Sequence, residues 1–225
     1  MKKISIGTLG NTLVGKTALS RCYSGEEFEP NEIVTTGMGK FMKNIELKIK
    51  EKTINLNVII HDTAGQEKYQ AIALNYIRKC DGIFLVYSVD DRRSLIDVEK
   101  WLTKIKETNQ EENYPLVLLG NKIDLFKENN SDFVTKKEGE ELAQKYNFKL
   151  FETSAKTKEN VEEAFQYMID LIVKNKEKEL LGEKKKIVIG AEEDNKNDKT
   201  QKKKKNCCWQ NFKKKKFNLK KHFKT

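Results

Sequence analysis

The sequence predicts an α/β fold, a mostly parallel sheet of six strands with helices on both faces. Three observations predict it. GIFLVYSV (82–89) and PLVLLGNK (115–122) are short, nearly unbroken apolar runs, the pattern of strands covered on both sides. Stretches with apolar residues at helical spacing alternate with such runs, which implies crossover connections between parallel strands. GNTLVGKT (10–17) puts a glycine-bearing turn between a first strand and a first helix. At 225 residues the chain has length for one such domain with a substantial core, and for an appendage.

Each element follows in order. KKISIGTL (2–9) sets Ile4 and Ile6 on one face of a strand, and a helix begins near Lys16. FMKNIELKIK (41–50) alternates Phe41, Lys43, Ile45, Leu47 and Ile49 as a half-buried edge strand, and TINLNVII (53–60) pairs with it in a hairpin through Glu51 and Lys52. After GIFLVYSV comes a helical pattern over 94–106 with Leu95, Val98, Leu102 and Ile105. After PLVLLGNK come a helix over 136–146, the strand KLFE (149–152), and a helix over 159–173 with Val161, Phe165, Met168 and Ile172. The amphipathic pattern stops near Lys174, so the domain is expected to span 1–175 and a flexible tail 176–225.

Charge separates the two parts. Residues 1–175 carry 26 Lys and Arg against 27 Asp and Glu, whereas 176–225 carry 18 Lys against 7 acids, the segment from 202 being purely basic. No run is apolar enough for a signal peptide or a spanning helix, so the chain is expected on the cytosolic side. Cys22, Cys80, Cys207 and Cys208 form neither a zinc-ligand spacing nor a small disulfide framework, and reduced thiols are expected.

The chemistry lies in four strings, each after a strand. In GNTLVGKT, the backbone from Gly10 through Asn11, Thr12, Leu13, Val14 and Gly15 can turn its N–H groups inward at the helix N-terminus, where phosphate is favoured. Lys16 reaches the β- and γ-phosphates, and Thr17, ahead of Ala18, puts its hydroxyl on Mg²⁺. This string alone leaves ATP, GTP and other nucleotides open. HDTAGQE (61–67) places Asp62 at a strand's carboxyl end to hold Mg²⁺ through water, Gly65 to offer an N–H to the γ-phosphate, and Gln66 to orient an attacking water. GNKIDL (120–125) selects the base. The Asp124 carboxylate can accept from guanine N1–H and its amino group together, whereas adenine leaves it unpaired. Asn121 can contact the base edge and tie the loops, and the Lys122 stem can lie along the ring. TSAK (153–156), with Ser154, Ala155 and Lys156, brings the Ala155 N–H to guanine O6.

On GNTLVGKT, DTAGQE, NKID and SAK together, the chain resembles a Ras-superfamily small GTPase, most closely the Rab branch, over residues 1–175. The resemblance implies a P-loop GTPase domain that hydrolyses GTP to GDP with Mg²⁺, with Gln66 and Lys16 as catalytic residues. It implies further that Phe28, twelve after Lys16, packs on guanine, and that Thr35, nineteen after Lys16, ligates Mg²⁺ beside Thr17 and Asp62. It implies an exchange factor, a GTPase-activating protein and effectors as partners, and a peripheral place on the cytosolic face of a membrane in vesicle traffic.

The chain departs from the family pattern at four places, one of them TTGMGKF (35–41), which replaces an Ile-Gly-x-x-Phe surface with an extra residue before Phe41. Thr12 and Leu13 stand where small residues are usual and are expected to crowd an entering arginine finger. His61 replaces the usual tryptophan. Cys207 and Cys208, candidate lipidation sites, are followed by WQNFKKKKFNLKKHFKT rather than standing at the end, so ordinary prenylation is not expected there, and S-acylation, which is not tied to the terminus, stays open. Trp209, Phe212, Phe217, Leu219 and Phe223 among lysines suit an anionic membrane. A low-turnover GTP-binding scaffold and a tail directed to nucleic acid or nuclear import are the alternative readings, with nucleic acid the less favoured.

Overall fold

The computed structural model describes residues 2–30, 35, 37–66, 70–108, 115–127 and 132–181. Its first strand, β1 (Lys2–Leu9), buries Ile4, Ile6 and Leu9 almost completely, and the chain then turns through the glycine-bearing loop into helix α1 (Lys16–Ser24). Alternation in the next segment gives β2 (Met38–Ile49), which turns back into β3 (Lys52–Thr63) with Phe41 opposite Ile60. Helix α2 (Gln70–Ile77) leads to β4 (Gly82–Ser88), α3 (Arg92–Thr108) to β5 (Leu116–Asn121), and α4 (Lys136–Tyr146) to β6 (Lys149–Glu152), followed by α5 (Val161–Leu180).

The six strands form one sheet in the order β2-β3-β1-β4-β5-β6. Only β2 runs antiparallel to its neighbour; the pairs β1–β3, β1–β4, β4–β5 and β5–β6 are parallel. Parallel pairing brings the carboxyl ends of five strands to one end of the sheet, where ligands bind in folds of this kind. Every residue of β4 and β5 is buried, as their unbroken apolar runs require.

Under α1 and α5, Tyr23 stacks on Phe165 at 3.9 Å between ring centroids, and Phe84 meets Phe165 edge-on at 4.8 Å. Each side chain of this size removed from water contributes about 2 kcal/mol. α4 starts in a capping box: Glu138 N–H donates to Thr135 Oγ1, and Thr135 N–H donates to the Glu138 carboxylate at 2.9 Å.

Two features differ from the sequence expectation. α2 has no helical signature because its residues are apolar nearly all round, yet only Ala73 and Ile77 are buried while Ile72 and Tyr76 are exposed. α5 continues past residue 175 to Leu180, which is 4% exposed in the main core, and Lys2 Nζ donates to the Leu180 carbonyl. The charged string KNKEKEL hides one buried leucine, so amphipathicity stops being visible a turn and a half before the helix does. Cys207, Cys208 and the basic segment from 202 lie outside the described residues. No helix among the described residues is long and apolar enough to cross a membrane.

Candidate functional site

The loop after β1 adopts two left-handed residues, Leu13 (φ 65°) and Gly15 (φ 91°), the second of which forms the N-cap of α1. α1 begins with no side-chain cap and no acid in its first turn, so its leading N–H groups are left to an anionic ligand. Lys16 is 5% exposed, and its ammonium donates to the Gly10 carbonyl at 3.0 Å and the Asn11 carbonyl at 2.7 Å. Burial lowers its pKa to about 8 against the opposing charge of Asp62. A buried cation held by carbonyls beside bare helix N–H groups suits a polyphosphate.

At the foot of Lys16 three oxygens from three separate segments meet. Thr17 Oγ1 donates to Asp62 Oδ2 at 2.6 Å, and Thr17 and Thr35 hydroxyls lie 2.8 Å apart. Asp62 is fully buried, and desolvation raises its pKa despite Thr17, Lys16 and Thr8, so a further positive charge would stabilise its carboxylate. An all-oxygen donor set with one carboxylate fits Mg²⁺. Mg²⁺ when bound would neutralise charge on phosphate oxygens.

Lys16, Thr17 and Thr35 open on a cleft of about 280 Å³ lined also by Thr12, Leu13, Gly15, Ala18, Phe28, Gly65 and Lys122 among others, with Asp62 buried behind them. Val14 and Gly10 do not line it: Val14 packs into the core. Gly65 lies so close to the loop that a Cβ there would meet the Asn11–Thr12 peptide at 2.5 Å. Its lack of a side chain is what lets the segment bearing Gln66 touch the phosphate loop.

Asn121 ties the remaining strings to this cleft. Its amide donates to the Val14 carbonyl at 2.9 Å, and its Oδ1 accepts from the Ala155 N–H at 3.3 Å and from Thr153 Oγ1 at 3.4 Å. Next to it, Ser154 Oγ donates to Asp124 at 2.6 Å and Lys156 lies 4.0 Å from the same carboxylate. Lys122 takes a left-handed φ of 66° and pairs with Asp90 at 3.2 Å. Asp90, which positions this lysine, carries no motif of its own.

Gln66 faces a second hollow of about 370 Å³, lined also by Asn11, Thr12, Gly65, Gln70, Arg93, Asp97, Lys100, Trp101 and Lys104. Thr12 and Gly65 line both hollows. Here the sequence reading missed two residues on α3: Trp101 Nε1–H donates to Asn11 Oδ1 at 3.0 Å, and Asn11 Nδ2 donates to Asp97 at 2.8 Å. The Asn11 side chain therefore faces α3 rather than the cleft. Trp101 lies on the helical spacing of core residues, and nothing in the string tells its ring from its donor.

Comparisons with known proteins agree with this geometry. The family model described as Ras family matches residues 5–174. The chain is similar to human Ras-related protein Rab-15, 37% identical over 174 residues that cover 77% of this chain and 78% of that protein. It is similar as well to Ras-related protein Rab-27B of Rattus norvegicus (32% over 181 residues, 78% and 82%) and to Ras-related protein Rab-11B of Dictyostelium discoideum (39% over 167 residues, 74% and 72%).

Proposed function

Because this chain belongs to the Rab branch of the Ras superfamily of small GTPases, we propose that its cleft is the site of a GTP-driven switch with the following division of labour. Members of this family hydrolyse GTP to GDP and act as switches in membrane traffic. Lys16 and the N–H groups at the start of α1 hold the β- and γ-phosphates. Thr17 and Thr35, with Asp62 through water, hold Mg²⁺. Gln66 orients the attacking water while Gly65 senses the γ-phosphate from the adjoining segment. Phe28 and Lys122 flank the base, which Asp124 reads, and Asn121 with Ser154, Ala155 and Lys156 keeps that reader in place. GTP-dependent ordering around Thr35 and Gln66 would recruit effectors, and an exchange factor and an activating protein would reset it.

The observation that carries this reading is the meeting of Thr17, Thr35 and Asp62 oxygens beneath buried Lys16, three segments far apart in sequence. Competition binding tests it: unlabelled GDP and GTP should displace labelled GDP in the presence of Mg²⁺, whereas ATP should not. Asp124→Asn should shift preference toward xanthine nucleotides. Displacement by equimolar ATP would refute the assignment of Asp124.

A low-turnover variant of this reading draws on Thr12, which lines the hollows on both sides of Gly65 and leaves an incoming arginine less room. Single-turnover hydrolysis with and without an activating protein separates the two. The tail supports attachment to the cytosolic face of an anionic membrane, since 202–225 hold 11 lysines and no acid, interleaved with aromatic residues and the Cys207–Cys208 pair.

A further inference from the structure

Because the strands β1, β3 and β4 are parallel, they begin at the end of the sheet opposite the nucleotide cleft. At that end lie Lys2 and Lys3 of β1, the β2–β3 turn with Lys50 and Lys52, and Arg78 and Lys79 between α2 and β4. α5 finishes there too, because Lys2 Nζ reaches the Leu180 carbonyl.

The charges at this end are unequally committed. Asp81 is held by Lys176 at 2.5 Å and by the Ser5 N–H at 2.8 Å, while Glu177 is held by Lys50 at 2.9 Å. Glu179 lies 3.8 Å from Lys176. Exposed Lys3, Lys48, Lys52, Arg78, Lys79 and Lys174 have no ion pair among the described residues, against exposed Glu46, Glu51 and Glu107, the last at the end of α3, on the acidic side. Asp81, Glu177 and Glu179 are thus engaged within the fold, and the six unpaired cations outnumber the three unpaired acids among the described residues.

We infer that this strand-beginning end is a second basic surface that lies against an anionic lipid membrane and turns the nucleotide cleft away from it. Its charge is complementary to such a membrane. The described chain also ends at this surface, with the lysine-rich segment from 202 following in the same chain. The inference rests on the reading of the tail as a membrane anchor and adds the domain's own part in the contact. Tail lysines alone would hold the protein near the bilayer, whereas a basic patch at one end gives it a preferred orientation. Each lysine at a charged bilayer contributes about 1 kcal/mol, roughly fivefold in partitioning, and the gain decays within a Debye length of about 10 Å at 0.1 M salt. Only cations at the contacting end should therefore count in full.

The test compares two variants of the full chain with equal loss of charge, by flotation with phosphatidylserine-containing vesicles at low salt. One carries Lys3→Gln, Lys52→Gln and Lys79→Gln. The other carries Lys127→Gln, Lys137→Gln and Lys158→Gln, all exposed and at the cleft end. GDP binding by each confirms its fold, and if the first triple variant fails to bind GDP, Lys52→Gln set against Lys137→Gln makes the same comparison. The first should lose on the order of 10- to 100-fold in vesicle binding and the second a few-fold at most. Equal losses, or none in the first, would overturn this inference and leave the tail reading standing. Failure of the unaltered chain to bind vesicles would overturn both.

Discussion

Gly15→Ala is the sharpest perturbation of the phosphate loop, because two separate terms can be told apart. An alanine must hold φ near 91°, in the left-handed region, at a cost of about 1–2 kcal/mol. Its Cβ would also stand 2.2 Å from Asn121 Nδ2 and 3.5 Å from Asn121 Cγ. The amide must then retreat by roughly 1 Å to reach ordinary contact distance. Retreat breaks its 2.9 Å bond to the Val14 carbonyl, and a buried group left unsatisfied costs about 1–3 kcal/mol. The total expected cost is about 3 kcal/mol. In an Asn121→Ala background there is no amide to displace, and only the backbone term remains. A double-mutant cycle should therefore show Gly15→Ala costing about 1–3 kcal/mol less in that background. The assay is urea unfolding at fixed GDP and Mg²⁺, with the nucleotide contribution removed through each variant's own Kd. Additivity of the two changes to within about 0.5 kcal/mol would refute the steric argument, and with it the assignment of Asn121 as the tie between the loops.

Two further outcomes follow from groups outside the cleft. The Arg92 guanidinium, together with Thr135, holds the Glu138 carboxyl down to about 2. A depressed carboxylate stabilises the fold above its unfolded pKa and loses that contribution as pH falls from about 4.5 to about 2. Both side chains are a third or more exposed, so screening reduces the effect to about 1 kcal/mol. Glu138→Gln keeps the cap's shape and should flatten the acid limb of stability against pH by that amount; an unchanged slope in a pH series of unfolding curves would count against it. Trp101→Phe keeps an aromatic ring in the core but removes the donor to Asn11, whose peptide abuts Gly65. Single-turnover hydrolysis of bound GTP should slow about fivefold, corresponding to about 1 kcal/mol, with GDP affinity little changed. Equal effects on hydrolysis and affinity would mean that the bond is merely structural.

What could be read from the string and what could not divide along range. β4 and β5 are recognisable because a strand buried on both faces must be apolar at nearly every position, which eight adjacent letters reveal. The phosphate loop is recognisable because its requirements fall within a few residues of each other. α2 is not, since an apolar-all-round helix carries no period. The bond between Trp101 and Asn11 spans 90 residues, and the one between Asn121 and Val14 spans 107. The first depends on which atoms of a core-spaced ring face the loop, a matter decided by α3 packing. The second could be anticipated in kind, because an asparagine at a buried strand end needs partners, but not in its partners. The same holds for Leu180, whose burial depends on β1 beginning beneath it.

The indole bonded to Asn11 makes the protein its own optical instrument. Trp101 and Trp209 are the two tryptophans of the chain, and Trp101 is 4% exposed with its N–H on the phosphate loop. Indole emission responds to the polarity and hydrogen bonding of its surroundings. Replacing Trp209 with phenylalanine leaves one emitter, placed at the junction of the loop and α3. Changes in its intensity or wavelength would then follow exchange and hydrolysis in real time, with natural nucleotides and no attached dye.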